Sequence, residues 1–197
     1  MIIDVQQNTD AWFEARLGKL TASDASTIMT AGKGLETLVF EKVAEILTGK
    51  AKDSFVNEAM EKGHELEMEA RNSYEITTGK MVKTTGFHVL DEMLQVGCSP
   101  DGLVDNDALI EIKCPTAPVF ARYLYDGKID PKYVAQMQMQ MWITDRKWCD
   151  YVVYNPDFDT STVVTMEKRN QEMIDKIIEG TIKGLTQLNQ ILEKLKW

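Results

Sequence analysis

Residues 97–115 read Gly97-Cys98-Ser99-Pro100-Asp101-Gly102-Leu103-Val104-Asp105-Asn106-Asp107-Ala108-Leu109-Ile110-Glu111-Ile112-Lys113-Cys114-Pro115. Side chains alternate between the faces of a strand, so a strand over 108–114 puts Glu111 and Lys113 on one face and Ile110, Ile112 and Cys114 on the other. The apolar set suits a core. Asp105-Asn106-Asp107 is turn-forming sequence, and strands over 94–99 and 108–114 joined there make a hairpin that brings Asp101 toward Glu111. Two neighbouring carboxylates repel unless a cation neutralises them, and oxygen ligands without a soft partner favour Mg²⁺ or Mn²⁺. A lysine beside such a site can orient or deprotonate an attacking water. Gly97 to Asp101 falls short of a G-x-S-x-G nucleophile elbow, because Asp101 stands where the second glycine belongs.

Outward from this stretch, the amino-terminal part is helical in pattern. Thr9-Asp10 before Trp12, Phe13 and Leu17 predicts a short capped helix stopping at Gly18, and a second helix is expected to start near Ser23. Leu35, Leu38, Val39, Val43, Ile46 and Leu47 form one apolar stripe ending at Gly49. Val56 to Thr78 predicts a fourth helix with Met60, Leu66, Ala70, Tyr74 and Thr77 along one side; Gly63 in its interior points to a close backbone contact. Strands are expected over 81–90, bounded by Asp91-Glu92, and over 148–154 and 161–167 around Asn155-Pro156-Asp157. A helix follows Pro131 through Tyr133, Gln136, Met137, Gln140 and Met141. The last helix presents Ile174, Ile177, Leu185, Leu188, Leu192 and Leu195. Helices, a central sheet and helices again make a mixed α/β layout, expected as a single domain over 1–197.

The 197 residues carry 31 Asp and Glu against 22 Lys and Arg, a formal charge of −9, with 44% apolar and 27% charged residues. That composition is globular. No apolar run approaches the ~18 residues that a membrane span needs, and Met1-Ile2-Ile3-Asp4 lacks a basic start followed by an apolar stretch. The expected location is the cytoplasm. Cys98, Cys114 and Cys149 are too far apart for a C-x-x-C pair and read as buried small hydrophobes. With only His64 and His88, no zinc finger or H-E-x-x-H site can be built, and His64 reads as a surface or supporting residue.

Pro100-Asp101 followed by Glu111-Ile112-Lys113 resembles the PD-(D/E)XK nuclease motif. Five blocks in order carry the likeness further: Trp12-Phe13-Glu14-Ala15-Arg16 with Leu20-Thr21-Ala22-Ser23; Gly63 to Glu67 with Ala70-Arg71; Cys98-Ser99-Pro100-Asp101-Gly102; Ile110-Glu111-Ile112-Lys113-Cys114-Pro115; and Tyr133-Val134-Ala135-Gln136-Met137-Gln138. In this order they resemble the phage lambda exonuclease family, the YqaJ-like viral recombinases. The resemblance implies a restriction-endonuclease-like core, a central mixed β-sheet flanked by helices. It also implies a metal-dependent 5′→3′ exonuclease on linear double-stranded DNA that leaves 3′ single-stranded tails for phage-type recombination.

Carried over by residue, the resemblance puts Asp101, Glu111 and the backbone carbonyl of Ile112 on two Mg²⁺ or Mn²⁺ ions, with Lys113 at the attacking water. Glu67 would complete the acidic site and Gln136 would brace it. Arg16, Ser23 and Ser99 would hold a 5′-terminal phosphate, as a guanidinium and hydroxyls can. Ordinary structural roles remain open: Glu67 pairs at i, i+4 with Arg71, Ser23 suits a helix N-cap, and Gln136 suits a polar helix face. The family also implies a homotrimeric ring around DNA ends, a single-strand annealing partner, and a phage or prophage protein in a bacterial host. Alternatives are a PD-(D/E)XK endonuclease or repair nuclease, or a non-catalytic DNA-end clamp. The acidic total makes a further demand: Arg16, Lys113 and other bases should line one concave surface while the acids gather elsewhere.

Overall fold

The structure, a computed structural model, describes residues 1–51, 58–90 and 93–195, and within these only the backbone at 58–64 and 94. In chain order the first half contains β1 (Ile2–Ile3), α1 (Asp10–Arg16), β2 (Leu20–Thr21), α2 (Ala25–Thr30), α3 (Lys33–Thr48) and α4 (Glu58–Thr78). Then come β3 (Val82–Lys83), β4 (Phe87–Leu90), β5 (Met93–Cys98), β6 (Gly102–Val104) and β7 (Ala108–Lys113). The chain ends with α5 (Ala117–Asp126), α6 (Pro131–Thr144), β8 (Trp148–Tyr154), β9 (Thr162–Lys168) and α7 (Gln171–Leu195). The helix start expected at Val56, the surroundings of Met60, Gly63 and His64, and the Asp91-Glu92 turn lie outside the described residues.

The hairpin over 105–107 forms, with Asp105 in the left-handed region at φ 47°. Its first strand is the three-residue β6, paired with β7 in the register Gly102 to Ile110 and Val104 to Ala108. The expected strand over 94–99 belongs elsewhere. As β5 it joins β4 and, in parallel, β2. The single central sheet expected from the sequence is therefore two, in the orders β1-β4-β5-β2 and β3-β6-β7-β8-β9. The chain steps from one to the other through Ser99, Pro100 and Asp101. Strands of two or three residues are too short to show a period, which is why the split was not visible in the pattern.

The five-stranded sheet is covered on both faces. Ile110, Ile112, Val152 and Tyr154 pack with Ala70 and Tyr74 of α4, whereas Leu109, Cys149, Tyr151 and Val153 pack with Phe120 and Tyr123 of α5 and Met137 and Met141 of α6. The alternation read from β7 is the one observed. A third cluster joins Leu20, Val96 and Cys98 to α2, α3, α6 and α7. β7 and β8 run parallel, so α5 and α6 together form the crossover between them. The patterning assigned nothing to 117–126. α5 buries only Phe120 and Tyr123, and Val119, Leu124 and Tyr125 stay exposed, so no clean stripe marks it.

Other expectations shift at the edges. The helix expected at Ser23 begins with a 3₁₀ turn over Ala22–Asp24 before α2. In α3 Leu35, Leu38, Val39 and Val43 are buried, but Leu47 is exposed and Ile46 packs on the bare backbone of Gly18 at the margin of the core. In α7 Ile174, Ile177 and Leu188 are buried, Leu185 and Leu192 are partly so, and Leu195 is exposed. A close backbone approach is seen at Gly180: a Cβ there would strike the Ile28 carbonyl, so glycine lets α7 lie against α2. All three cysteines are free, and Cys98 and Cys149 are buried. Among the described residues no helix is long and apolar enough to cross a membrane.

His88 ties the smaller sheet to pH. It is buried on β4 between Ile2 and Cys98, and its Nε2 lies 2.7 Å from Thr85 Oγ1. Burial, then the positive charges of the Met1 amino group and Arg146, push its pKa down to about 4. The unfolded imidazole titrates near 6.5, so it binds the proton more readily than the folded one. Stability from this group is complete above about pH 6.5 and is lost as pH falls toward 4, by up to about 3 kcal/mol. Urea titrations at pH 7.5 and 4.5 should show that loss, and His88→Gln should remove most of the difference.

Candidate active site

Glu111 is the centre of the cluster. It lies on the face of β7 that α6 covers, so the polar side of the strand is enclosed and Glu111 is only 1% exposed. Three donors converge on it. Lys113 Nζ lies 2.5 Å and Gln136 Nε2 2.8 Å from Oε1, and Gln140 Nε2 lies 2.8 Å from Oε2. Gln136 and Gln140 are one helical turn apart, so α6 presents both amides to the same carboxylate. A carboxylate left alone at this depth would be strongly unfavourable; here its charge is met by an ammonium and two amide dipoles.

Asp101 stands beside it. The β6–β7 register carries Asp101 to the end of the hairpin, where its Oδ2 accepts the Ile112 N–H at 2.6 Å. Burial and the charges of Glu111 and Glu67 hold the Asp101 carboxyl well above the ordinary carboxylate value, against the opposing effects of Lys113 and the Ile112 amide. Lys113 behaves in the complementary way. Burial works to lower its pKa, but Glu111 and Asp101 outweigh burial and raise it, so the side chain is an ammonium. Its Nζ also lies 4.8 Å from the centre of the Tyr133 ring.

Glu67 reaches the cluster through Arg71. The i, i+4 pair is real, at 2.7 Å, and the same guanidinium nitrogen donates to the Asp101 backbone carbonyl at 3.3 Å. Arg71 thus links Glu67 to the backbone of Asp101. Seven residues further along the same face of α4, Tyr74 donates to buried Asp150 of β8 at 2.6 Å, and Lys80 donates to the same oxygen at 2.8 Å. This anchor fixes the helix that carries Glu67.

The residues expected to hold a phosphate come together beside the other sheet. Arg16 donates to Ser23 Oγ at 3.4 Å and Thr21 Oγ1 at 3.5 Å, and stacks over the Trp12 ring at 4.2 Å. Trp12 Nε1 in turn donates to Ser99 Oγ at 2.7 Å. Arg16, Ser23 and Ser99 are therefore one connected group. Among the described residues Arg16 makes no ion pair within 4.0 Å, which leaves its guanidinium facing hydroxyls. Trp12, Thr21 and Arg71 stand in matched blocks without a site role assigned to them, and Gln140 is legible from its i, i+4 spacing to Gln136.

Two clefts meet the cluster. One, of about 510 Å³, is lined by Glu67, Arg71 and Asp101 with the segments Asp4–Asn8 and Thr84–Gly86. The other, of about 800 Å³, runs from Lys113 past Tyr133, Tyr151 and Tyr123. Its bases, Lys113, Arg122, Lys128 and Lys132, are interleaved with Asp126, Asp130 and Glu167, and Arg16 is not among its lining residues. The single basic concave surface expected from the sequence is thus replaced by a cleft of mixed charge, with Arg16 lying apart from it.

The chemistry of the donors suits a hard divalent ion. Asp101, Glu111 and the Ile112 carbonyl offer only oxygen. Burial, then Glu67 and Asp101, push the Cys114 thiol up to about 12, and burial also raises Cys98 and Cys149, so no thiolate competes. Among the described residues no three carboxylate, imidazole or thiol groups converge into a cage. Mg²⁺ is commonly held in just that way, by one or two carboxylates with solvent completing the shell.

No curated protein matches the chain. An alkaline exonuclease, LHK-Exo from Laribacter hongkongensis, is 38% identical with a TM-score of 0.89, over 95% of this chain and 96% of that one. The same enzyme solved in complex with dAMP matches equally well. A phage-related exonuclease from Haemophilus somnus 129PT, at 20% identity and a TM-score of 0.68 over 90% of this chain and 96% of that one, shares the fold. The fold is restriction-endonuclease-like, with mixed sheets flanked by helices. Residues 11–147, which span both the Arg16 group and the Glu111 cluster, match the YqaJ-like viral recombinase domain, and the chain belongs to that family.

Proposed function

We propose that the protein is a divalent-metal-dependent nuclease that removes nucleotides from the 5′ end of linear duplex DNA and leaves a 3′ single-stranded tail. The observation that carries the reading is the enclosed Glu111, held by Lys113, Gln136 and Gln140 beside a second carboxylate, Asp101. Membership of the recombinase family and the likeness to an alkaline exonuclease support it.

Asp101, Glu111 and the Ile112 carbonyl would hold Mg²⁺ or Mn²⁺, two ions in the full site. When bound, the metal supplies Lewis-acid chemistry, screening phosphodiester charge and strengthening water as a nucleophile. Lys113 donates from its ammonium to the attacking water and stabilises the charge that develops on the phosphate oxygens. Gln136 keeps Glu111 from turning. Glu67, steadied by Arg71, closes the acidic side. Arg16, Ser23 and Ser99 receive the terminal 5′-phosphate, which fixes which end is consumed. In this reading the working form is a homotrimeric ring on DNA ends, with a single-strand annealing protein as partner.

Digestion of end-labelled linear duplex with Mg²⁺ is the test. Duplexes with 5′-phosphate ends should be degraded at least about tenfold faster than those with 5′-hydroxyl ends, as lost charge-assisted hydrogen bonds imply. Covalently closed circles should be spared. Cutting of the circle would favour an endonuclease; equal rates on the two ends would remove the role given to Arg16, Ser23 and Ser99.

A further inference from the structure

α6 carries two buried glutamines, two residues apart, and they are used differently. Gln138 is completely satisfied: its Nε2 donates to Glu167 Oε1 and to the Lys168 carbonyl, both at 2.8 Å, and its Oε1 accepts the Asn170 N–H at 2.8 Å. Those bonds fasten the end of β9 and the start of α7. Gln140 is 1% exposed; among the described residues its side chain has one partner, Glu111 Oε2, and its Oε1 has none. A buried acceptor without a partner opposes folding. Turning the amide over would not help, because Oε1 would then face the carboxylate. Packing gives no reason for an amide here, since Met137, Met139 and Met141 fill the neighbouring buried positions of the same helix.

We propose that Gln140 is a positioning residue for the metal centre, holding Glu111 Oε2 so that its remaining lone pair points to the cation. Oε1 already receives Lys113 and Gln136, so Oε2 is the less encumbered oxygen, and among the described residues Gln140 is the side chain that donates to it. This rests on the metal-dependent reading above. Groups that orient a ligand in this way typically contribute 10–100-fold to metal affinity or activity.

The test is calorimetric titration of Mn²⁺ into DNA-free protein, with thermal unfolding in chelator as a second readout. Gln140→Met should weaken Mn²⁺ binding about tenfold or more and raise the Mn²⁺ concentration for half-maximal digestion by a similar factor. Gln138→Met should lower the Tm and leave Mn²⁺ affinity within about twofold. In a Glu111→Gln background, Gln140→Met should cause no further loss of affinity. If the methionine variant does not fold, Gln140→Asn, whose shorter side chain draws the amide away from Oε2, should show the same weakening. Wild-type affinity in the variant that folds, or equal loss in the Glu111→Gln background, overturns the role of Gln140. Absence of Mn²⁺ binding by the wild type overturns the metal-centre reading itself, and the proposal with it.

Discussion

Lys113→Ala should lose about 10²- to 10⁴-fold of the Mg²⁺-dependent digestion rate on linear duplex DNA while keeping a cooperative thermal transition. The size follows from what the ammonium does. It is the cationic donor on Glu111 at 2.5 Å, and it lines the larger cleft, where substrate can reach it. Folding survives because Glu111 retains the two amide donors Gln136 and Gln140. Lys113→Arg should not restore the rate, since a planar guanidinium cannot stand in for a compact ammonium at this spacing. Single-turnover digestion with saturating Mg²⁺, beside a melting curve, checks both halves. A rate within tenfold of wild type would remove Lys113 from the chemistry.

Asp101→Asn should move activity and stability in opposite directions. Cleavage falls to background, because a neutral amide replaces a charged oxygen ligand. Without metal, however, the wild-type carboxylate is held in place against burial and against Glu111 and Glu67. Its folded-state pKa lies above the ordinary value of 3.8, so its contribution to stability is complete below that value and is lost as pH rises. The asparagine variant keeps an acceptor for the Ile112 N–H and loses the repulsion. In chelator at pH 8 it should melt about 2–4 °C higher than wild type, the shift expected for ~1 kcal/mol in a chain of this size. Excess Mg²⁺ should narrow the gap by stabilising only the wild type. A lower Tm for the variant in chelator would contradict the electrostatic account.

The parts of the fold legible in the sequence are those with enough residues to show a period. β8 was readable to its ends, and β7 and the α3 stripe to within a residue or a turn; α7 was recognisable from its apolar face. The division into two sheets was not, because it depends on Ile2–Ile3, Leu20–Thr21 and Gly102–Val104, pairings set by contacts distant in sequence. α5 was hidden because Val119, Leu124 and Tyr125 are apolar yet exposed. For the site, alternation along β7 gave the shared face of Glu111 and Lys113, but not that α6 would cover it. That burial makes Gln140 part of the cluster, and no local pattern reports which helix lies across a strand.

The passage of the chain through Ser99, Pro100 and Asp101 has a consequence for how the enzyme would measure its substrate. On the proposed reading Ser99 would belong to the end-anchoring group and Asp101 to the cutting group, with one proline between them. Pro100, whose φ is fixed by its ring, would then set the spacing between the two. On the nuclease reading, the bond cut is chosen by length from the strand terminus rather than by base sequence, and the calibration resides in three consecutive residues.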